Sequence, residues 1–140
     1  IDENTMRMCR THRMMFMELA EALYNEGKHD KCLEVLDFAE EMLPGYNISY
    51  DYTSATMAAY YYQLGEIEKA NAIMTKVADN SVEYMAWGAS LPKEQRASSQ
   101  STLQQQLAIL GYVLQNFERY EQKELFNLYY DLYVQYASVR

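Results

Sequence analysis

Cys9 and His12 are the two residues whose types and spacing come nearest to a metal site. They lie three apart on one face of a predicted helix, and zinc accepts both thiolate and imidazole as ligands. A zinc site needs four ligands, counting its open position, and no further Cys or His lies nearby in the sequence. We therefore interpret the pair as two unrelated helix residues and predict no metal site. His29 is predicted to be a solvated turn residue.

The motifs of common enzyme active sites are missing from the sequence. There is no glycine-rich phosphate loop, no paired-cysteine motif, no HExxH and no GxSxG. The carboxylates are spread along the predicted outer helix faces, whereas a glycosidase pair needs one carboxyl with a raised pKa in a cleft. We therefore predict that the chain is not an enzyme and that it holds no cofactor.

An excess of aromatic residues is the remaining feature with binding chemistry: 14 Tyr, one Trp and four Phe in 140 residues. Tyrosine suits both helix packing and partner binding, and we expect most of these residues to pack one helical hairpin against another. The three consecutive tyrosines 60 to 62 point about 100° apart on a helix, so at least one should be exposed. A concave face bearing Tyr50, Tyr60, Tyr62 and Trp87 is the candidate site for an extended peptide or a glycan. Peptide is favoured because helical repeats offer long grooves.

The charge of the chain argues against nucleic acid as a partner. The formal net charge is -8, which opposes a phosphate backbone, and no basic stripe with interleaved aromatic residues occurs. A short positive stripe is formed by Arg7, Arg10 and Arg13. We interpret it as a solvated face or as pairing with a neighbouring acidic helix. The alternative is contact with anionic lipid headgroups or with another domain.

Helical hairpins are the elements that must position these residues. Gly27-Lys28-His29-Asp30-Lys31-Cys32 and, 38 residues later, Gly65-Glu66-Ile67-Glu68-Lys69-Ala70 each follow one apolar helical stretch and open another. Glycine permits the positive φ of a turn between antiparallel helices, and the small Cys32 or Ala70 lets the two helices approach closely. The surrounding spacing resembles a tetratricopeptide repeat of about 34 residues. The matching positions are Leu19, Ala20, Leu23, Leu36, Ala39 and Pro44 around the first turn, and Met57, Ala58, Tyr61, Met74 and Val77 around the second.

The pattern predicts an all-α fold in a single helical-repeat domain, residues 1–140. Tetratricopeptide-like hairpins at about 5–44 and 50–88 would stack as a short right-handed solenoid, with a closing C-terminal hairpin at about 98–139. Pro44-Gly45 is expected to end the second helix, a short helical turn to follow Pro92, and Ser98 or Ser99 to serve as an N-cap. Helices are predicted at about 5–26, 30–43, 52–64, 66–87, 99–119 and 122–138. Apolar stripes at helical spacing are Met8, Met15, Leu19 and Leu23; Cys32, Leu36, Ala39 and Leu43; Leu103, Leu107, Leu110, Leu114 and Phe117; and Leu125, Leu128, Leu132 and Tyr136.

Beyond the repeat pattern, the chain resembles the C-terminal soluble region of bacterial multi-pass membrane proteins of unassigned function that are related to protein O-mannosyltransferases. Residues 19–36 with the Gly27 turn, residues 58–72 with the Gly65 turn, and residues 91–97 before the terminal hairpin carry this resemblance. It implies a helical appendage, without catalytic residues, of a membrane-embedded part that would hold any glycosyl-transfer chemistry. It also implies tethering to a bacterial membrane, and it favours the periplasmic side. The arginine stripe would instead fit the cytoplasmic side.

These observations lead to two hypotheses about function. The first is a non-enzymatic scaffold for protein–protein or peptide interaction, whose partner is a protein, a peptide or the chain's own membrane domain. The second is a soluble accessory domain of a membrane glycosyltransferase-like protein that positions acceptor peptide or glycan. Because the chain begins with Ile1 and has no long apolar run, we expect a soluble domain excised from a longer protein.

Overall fold

The chain is all-helical in the computed structural model, which describes residues 2–44 and 50–138. This confirms the predicted all-α class, and no strand occurs within those two ranges. Gly45, which was expected to help end the second helix, lies outside them. The helices are α1 (Glu3–Asn25), α2 (His29–Met42), α3 (Tyr52–Gln63), α4 (Ile67–Ser90), α5 (Lys93–Arg96), α6 (Gln100–Arg119) and α7 (Lys123–Ala137), with a 3-10 turn (Ala97–Ser99) between α5 and α6.

Three helix–helix connections share one backbone geometry. Gly27 between α1 and α2 has φ 79°, Gly65 between α3 and α4 has φ 83°, and Glu121 between α6 and α7 has φ 59°. In each, the amide that follows the left-handed residue donates to a carbonyl five residues back, as in a Schellman motif. The two glycine turns are as predicted, whereas Glu121 adopts the same conformation despite its side chain. The three bonds join Lys28 N to Leu23 O at 2.9 Å, Glu66 N to Tyr61 O at 2.9 Å, and Gln122 N to Phe117 O at 2.7 Å.

Two aspartates cap helix N-termini. Asp2 accepts the amide of Thr5 at 2.8 Å, and this hydrogen bond lowers the pKa of its carboxyl. Asp51 forms a capping box with Ser54, since each side chain bonds the other residue's amide at 3.1 Å.

Ser99 occupies the N-cap position of α6, as predicted, but its side chain makes no capping hydrogen bond. The hydroxyl of Ser98 donates to the carbonyl of Gln95, and that of Ser99 to the carbonyl of Arg96. The helical turn predicted after Pro92 is present, and it runs through the 3-10 turn into α6. Because the backbone is already helical before α6 begins, these serines bond back into the preceding turn.

The described chain divides into two compact units, Ile1–Ile73 and Met74–Arg140, with the boundary inside α4. In the first unit α1 packs against α2 and α3, and α2 also contacts α3. The stripe predicted for α2 is buried as a whole, from Cys32 to Leu43. The buried residues of this unit are Arg13, Ala20, Cys32, Leu36, Ala39, Leu43, Ser54, Ala55, Met57, Ala58, Tyr61, Tyr62, Ala70 and Ile73.

The stripe predicted for α1 does not form its buried face. Met8, Met15 and Leu19 are exposed, and α1 instead buries Arg13 and Ala20. Apolar side chains occur around most of the circumference of this helix, so their spacing fits more than one face. Packing against α2 and α3 selects the face that is covered.

In the second unit α6 packs against α7. The stripe predicted for α6 is buried from Leu107 to Phe117, with Leu103 half-buried. In α7 the stripe is only partly right, because Leu128 is exposed and the buried residues are Tyr129 and Tyr136. Tyr129 donates to the carboxylate of Asp79 in α4 at 2.5 Å. Burial and this bond raise the pKa of the Tyr129 hydroxyl.

None of the helices in the described ranges combines the length and the apolar character needed to cross a bilayer.

Candidate functional site

Tyr50, the first predicted contact residue, belongs to a cluster that joins the first three helices. Its hydroxyl donates to the carboxylate of Glu40 on α2 at 2.5 Å. Its ring lies beneath the Arg13 guanidinium of α1, at 5.4 Å from the guanidinium carbon to the ring centroid. The ring and the hydroxyl of Tyr50 therefore both make contacts inside the first unit.

Arg13 is buried, which corrects its assignment to a solvated arginine stripe. Its Nη2 donates to the carbonyl of Leu43 at the end of α2, at 3.2 Å, and its Nη1 lies 4.0 Å from the Asp51 carboxylate that caps α3. Arg7 and Arg10 remain exposed as predicted. A cation held by the ends of two other helices is better explained as a tie between α1, α2 and α3 than as a lipid contact.

Glu40 supplies part of the negative charge near Arg13. Burial raises the pKa of its carboxyl, while the Tyr50 hydroxyl and the Arg13 charge act in the opposite direction. The cluster holds a cation and two carboxylates, with no thiol or imidazole, so it resembles a structural ion pair more than a catalytic set.

The three consecutive tyrosines lie mainly inside the first unit. Tyr61 and Tyr62 are both buried, and the half-buried Tyr60 is the most accessible of the three. The expectation that one of them would be exposed is therefore met only in part. Tyr60 packs on Tyr24 with 5.5 Å between ring centroids, and the His29 ring stacks on the same Tyr24 ring at 4.6 Å.

The hydroxyls of the two buried tyrosines bond to polar side chains. Tyr61 donates to Asp37 at 2.7 Å, and the same carboxylate accepts two bonds from Lys69 at 3.1 and 3.2 Å. Burial raises the pKa of the Tyr61 hydroxyl, and the bond to Asp37 adds to the effect. Tyr62 donates to Asn71. Tyr62 thus has almost no surface to offer a partner, although the sequence placed it on a binding face.

Trp87, the fourth predicted residue, is the one that borders an open cavity. It lies on α4 in the second unit, and more than half of its side chain is exposed. Tyr84, three residues earlier on the same helix, is exposed to a similar extent. The cavity beside them has a volume of about 30 Å³. Its lining residues are Tyr84, Met85, Trp87, Gly88, Ala89, Arg96, Ser99, Gln100, Thr102, Leu103 and Gln106.

Two polar residues that line this cavity form hydrogen bonds within the fold. Arg96 Nε donates to the carbonyl of Leu91 at 3.0 Å, and Ser99 donates to the carbonyl of Arg96 at 3.0 Å. No carboxylate, thiol or imidazole occurs among the lining residues. The hydroxyls of Ser99 and Thr102 thus have no carboxylate or imidazole beside them in the lining, and the apolar part of the lining suits the binding of an apolar group.

Metal binding gains no support from the arrangement. Cys9 is half-buried and His12 is exposed. Within residues 2–44 and 50–138, no three His, Cys, Asp or Glu side chains come together as ligands.

Sequence reasoning missed Tyr84 and the small residues that open the cavity. Tyr84, Trp87 and Gly88 are spaced at i, i+3 and i+4, so the helical pattern contains the signal that they share one face. No comparable signal marks Arg13, because its partners follow it by about thirty residues or more in the chain.

Comparison with known proteins gives no relative: no family model, no curated protein and no solved structure matches this chain.

Proposed function

We propose that the chain is a non-enzymatic interaction scaffold that holds an apolar side chain of a protein or peptide in the cavity beside Trp87. The observation that carries the proposal is the pairing of two exposed aromatic side chains, Trp87 and Tyr84, with a cavity lined by Gly88, Ala89 and Leu103. Exposed Trp and Tyr around an apolar pocket are typical of the residues that dominate binding energy at interfaces.

The size of the cavity limits what enters it. A volume of about 30 Å³ has room for roughly two water molecules. The tip of a Leu or Met side chain fits such a space. Thr102, Gln100 and Gln106, which also line the cavity, carry groups suited to the backbone amides of a bound peptide.

Nuclear magnetic resonance with host peptides tests this specificity. The probes are Gly-Ser-Gly-Xaa-Gly-Ser-Gly peptides in which Xaa is Leu, Met, Phe or Asp. We expect the Leu and Met peptides to shift the Trp87 indole signal and the amides of Gly88 and Ala89, and the Asp peptide to leave them unchanged. Equal shifts with all four peptides, or none with any, would contradict the proposal.

Two helical glycines provide a matched pair of variants. A Cβ at Gly88 would lie 3.8 Å from Ser99 Oγ, and one at Gly111 would lie 3.7 Å from the Tyr133 ring, so both sites accept a methyl group. Each change to Ala should stabilise the fold by about 0.5–1 kcal/mol. Only Gly88→Ala narrows the cavity, so only this variant should weaken the response to the Leu peptide.

At the level of the fold, we propose that the hairpins are tetratricopeptide-like units of a short right-handed solenoid. The support is the repetition of one turn geometry at Gly27, Gly65 and Glu121, with the next helix beginning two residues later each time. The buried small residues Cys32 and Ala70, both five positions after the turn glycine, add to it. Small-angle X-ray scattering tests this arrangement. A scattering profile that fits an extended helical bundle but not a solenoid would contradict the proposed repeat fold.

The second candidate function is a periplasmic accessory domain, tethered to a bacterial membrane, that presents peptide or glycan to a glycosyltransferase. The exposed faces of Trp87 and Tyr84 favour it, because aromatic faces also pack against the apolar faces of sugar rings. An oligomannose added in the same resonance experiment distinguishes the two: a shift of the Trp87 indole by the sugar alone favours the accessory domain. Several apolar spans of ~20 residues encoded upstream would support tethering.

A further inference from the structure

The outer side of the first hairpin carries an uncovered apolar surface. We name it the front face and define it by the exposed Met8, Met15 and Leu19 of α1 and the exposed Phe38 and Met42 of α2. The two helices share it, since Phe38 packs edge-on against Phe16 with 5.6 Å between ring centroids. Neighbouring exposed apolar side chains of this kind often form an interaction site.

The position equivalent to Leu19, at the centre of the front face, is buried in both of the other hairpins. When the sequences of the three hairpins are aligned on the turn residues Gly27, Gly65 and Glu121, Leu19 corresponds to Met57 and to Val113. Leu19 is 48% exposed, whereas Met57 is 1% and Val113 0% exposed. Within the first unit, α3 with its Met57 packs against α1 and α2. A face of this type is therefore one that takes a neighbouring helical hairpin.

The closing hairpin shows the reverse pattern on α7. Tyr130 corresponds to Leu36 in the first hairpin and to Met74 in the second; both of these are 0% exposed, whereas Tyr130 is 47% exposed. Val134, one helical turn further along, is exposed as well, and Phe126 stacks on Tyr130 at 5.4 Å. We name Tyr130 and Val134 the rear face.

We propose that the front face of one copy of this chain binds the rear face of a second copy. At Leu19 of the front face and at Tyr130 of the rear face, the equivalent residues of the remaining hairpins are buried, so each face lacks a neighbour that covers its equivalents. The contact is heterologous, because two different surfaces meet, and repeated contacts of this kind form either open chains or closed rings. In both cases the average mass exceeds that of one chain and rises with concentration.

The inference rests on the equivalence of the three turns and not on the Trp87 cavity, so the two proposals fail independently. The test is sedimentation equilibrium of the 140-residue chain over a wide range of concentration, without peptide. We expect the average mass to rise continuously with concentration. A chain that remains monomeric throughout would overturn the proposal.

Paired variants identify the two faces. Met15→Glu disables the front face and Val134→Glu the rear face, and each variant alone should be monomeric. An equimolar mixture should give a species of twice the monomer mass and nothing larger, because each variant keeps the face that the other has lost. A mixture that stays monomeric, or a wild-type dimer that Val134→Glu leaves intact, contradicts head-to-tail binding.

The chain offers a matched control for each face. Met14→Glu changes an exposed methionine beside Met15 on the other flank of α1, and Leu128→Glu changes an exposed residue on the opposite side of α7 from Tyr130. Both should associate as the wild type does. Recovery of the mixed dimer shows that the variants are folded, and Met15→Lys replaces Met15→Glu if the latter loses its helical circular dichroism.

Discussion

The aromatic residues of the first unit and those beside the cavity of the second differ in what surrounds them. Tyr50 and Tyr61 donate to carboxylates and Tyr62 donates to an asparagine; Tyr61 and Tyr62 are buried and Tyr50 is half-buried. Trp87 and Tyr84 are exposed at the edge of an apolar cavity. Aromatic side chains thus hold helices together where a polar partner lies within reach of a tyrosine hydroxyl. Where the lining is apolar, they form an exposed surface.

The largest expected effect comes from removing Arg13, the cation that lies over the Tyr50 ring in the first unit. Arg13→Ala deletes the buried cation that bonds Leu43 and lies near Asp51, and it should lower the free energy of unfolding by about 3 kcal/mol. Urea denaturation followed by far-ultraviolet circular dichroism measures it. Arg10→Ala, an exposed change one turn earlier, should stay within about 0.5 kcal/mol. Similar losses for the two variants would show that Arg13 does not tie the helices.

Tight packing in the first unit can be compared with the open cavity of the second. Ala70 is fully buried, so Ala70→Phe should overpack the α3–α4 hairpin and lower the free energy of unfolding by about 1–3 kcal/mol. Ala89→Leu has the cavity to extend into, and should cost less than about 1 kcal/mol. Thermal melting of both variants checks the order. An unchanged melting temperature for Ala70→Phe would place Ala70 away from a helix contact.

Removal of single hydroxyls compares the tyrosines directly. Tyr61→Phe deletes the bond to Asp37, which keeps its contact with Lys69, so the loss should be about 1 kcal/mol. Tyr84→Phe changes an exposed ring and should leave the free energy of unfolding unchanged. If the two variants are equally stable, the hydrogen bond between Tyr61 and Asp37 adds no more stability than the bonds to water that it replaces on folding.

The smallest effect is a pH dependence from Glu40. Because burial raises the pKa of this carboxyl in the folded chain, protonation favours folding, and that contribution is present at low pH and lost as the pH rises through the folded pKa. Glu40→Gln lacks the titration, so the wild type should lose stability relative to it as the pH rises above the ordinary glutamate pKa of 4.5. Urea midpoints over this rise in pH measure the difference, with the exposed Glu41→Gln as control. Parallel pH profiles for the wild type and Glu40→Gln would contradict a raised pKa.

Much of the helical framework follows from the sequence by local physics. The turns at Gly27 and Gly65 need a residue that tolerates positive φ, and the stripe of α2 needs only a period of 3.6. The glycine turns and the α2 stripe can both be recognised from a short segment of the sequence. The third turn was placed correctly between the last two helices, but its left-handed residue, Glu121, gives no compositional sign.

What the sequence could not predict depends on distant partners. Met8, Met15 and Leu19 share helical spacing, yet their side of α1 is uncovered, because packing of α2 and α3 chooses among several apolar faces. Arg13 is buried because the end of α2 and the start of α3 supply its acceptors. Of the candidate site, Trp87 was identified in advance, whereas the cavity depends on α5 and α6 and could not be read from α4 alone.

The position of Trp87 has a consequence for how unfolding of this chain is observed. It is the sole tryptophan of the sequence and belongs to the second compact unit. Its fluorescence therefore reports that unit, while helical circular dichroism reports both. If the chain unfolds as one cooperative whole, the two denaturation curves coincide; if they separate, the boundary within α4 also divides two independent unfolding transitions.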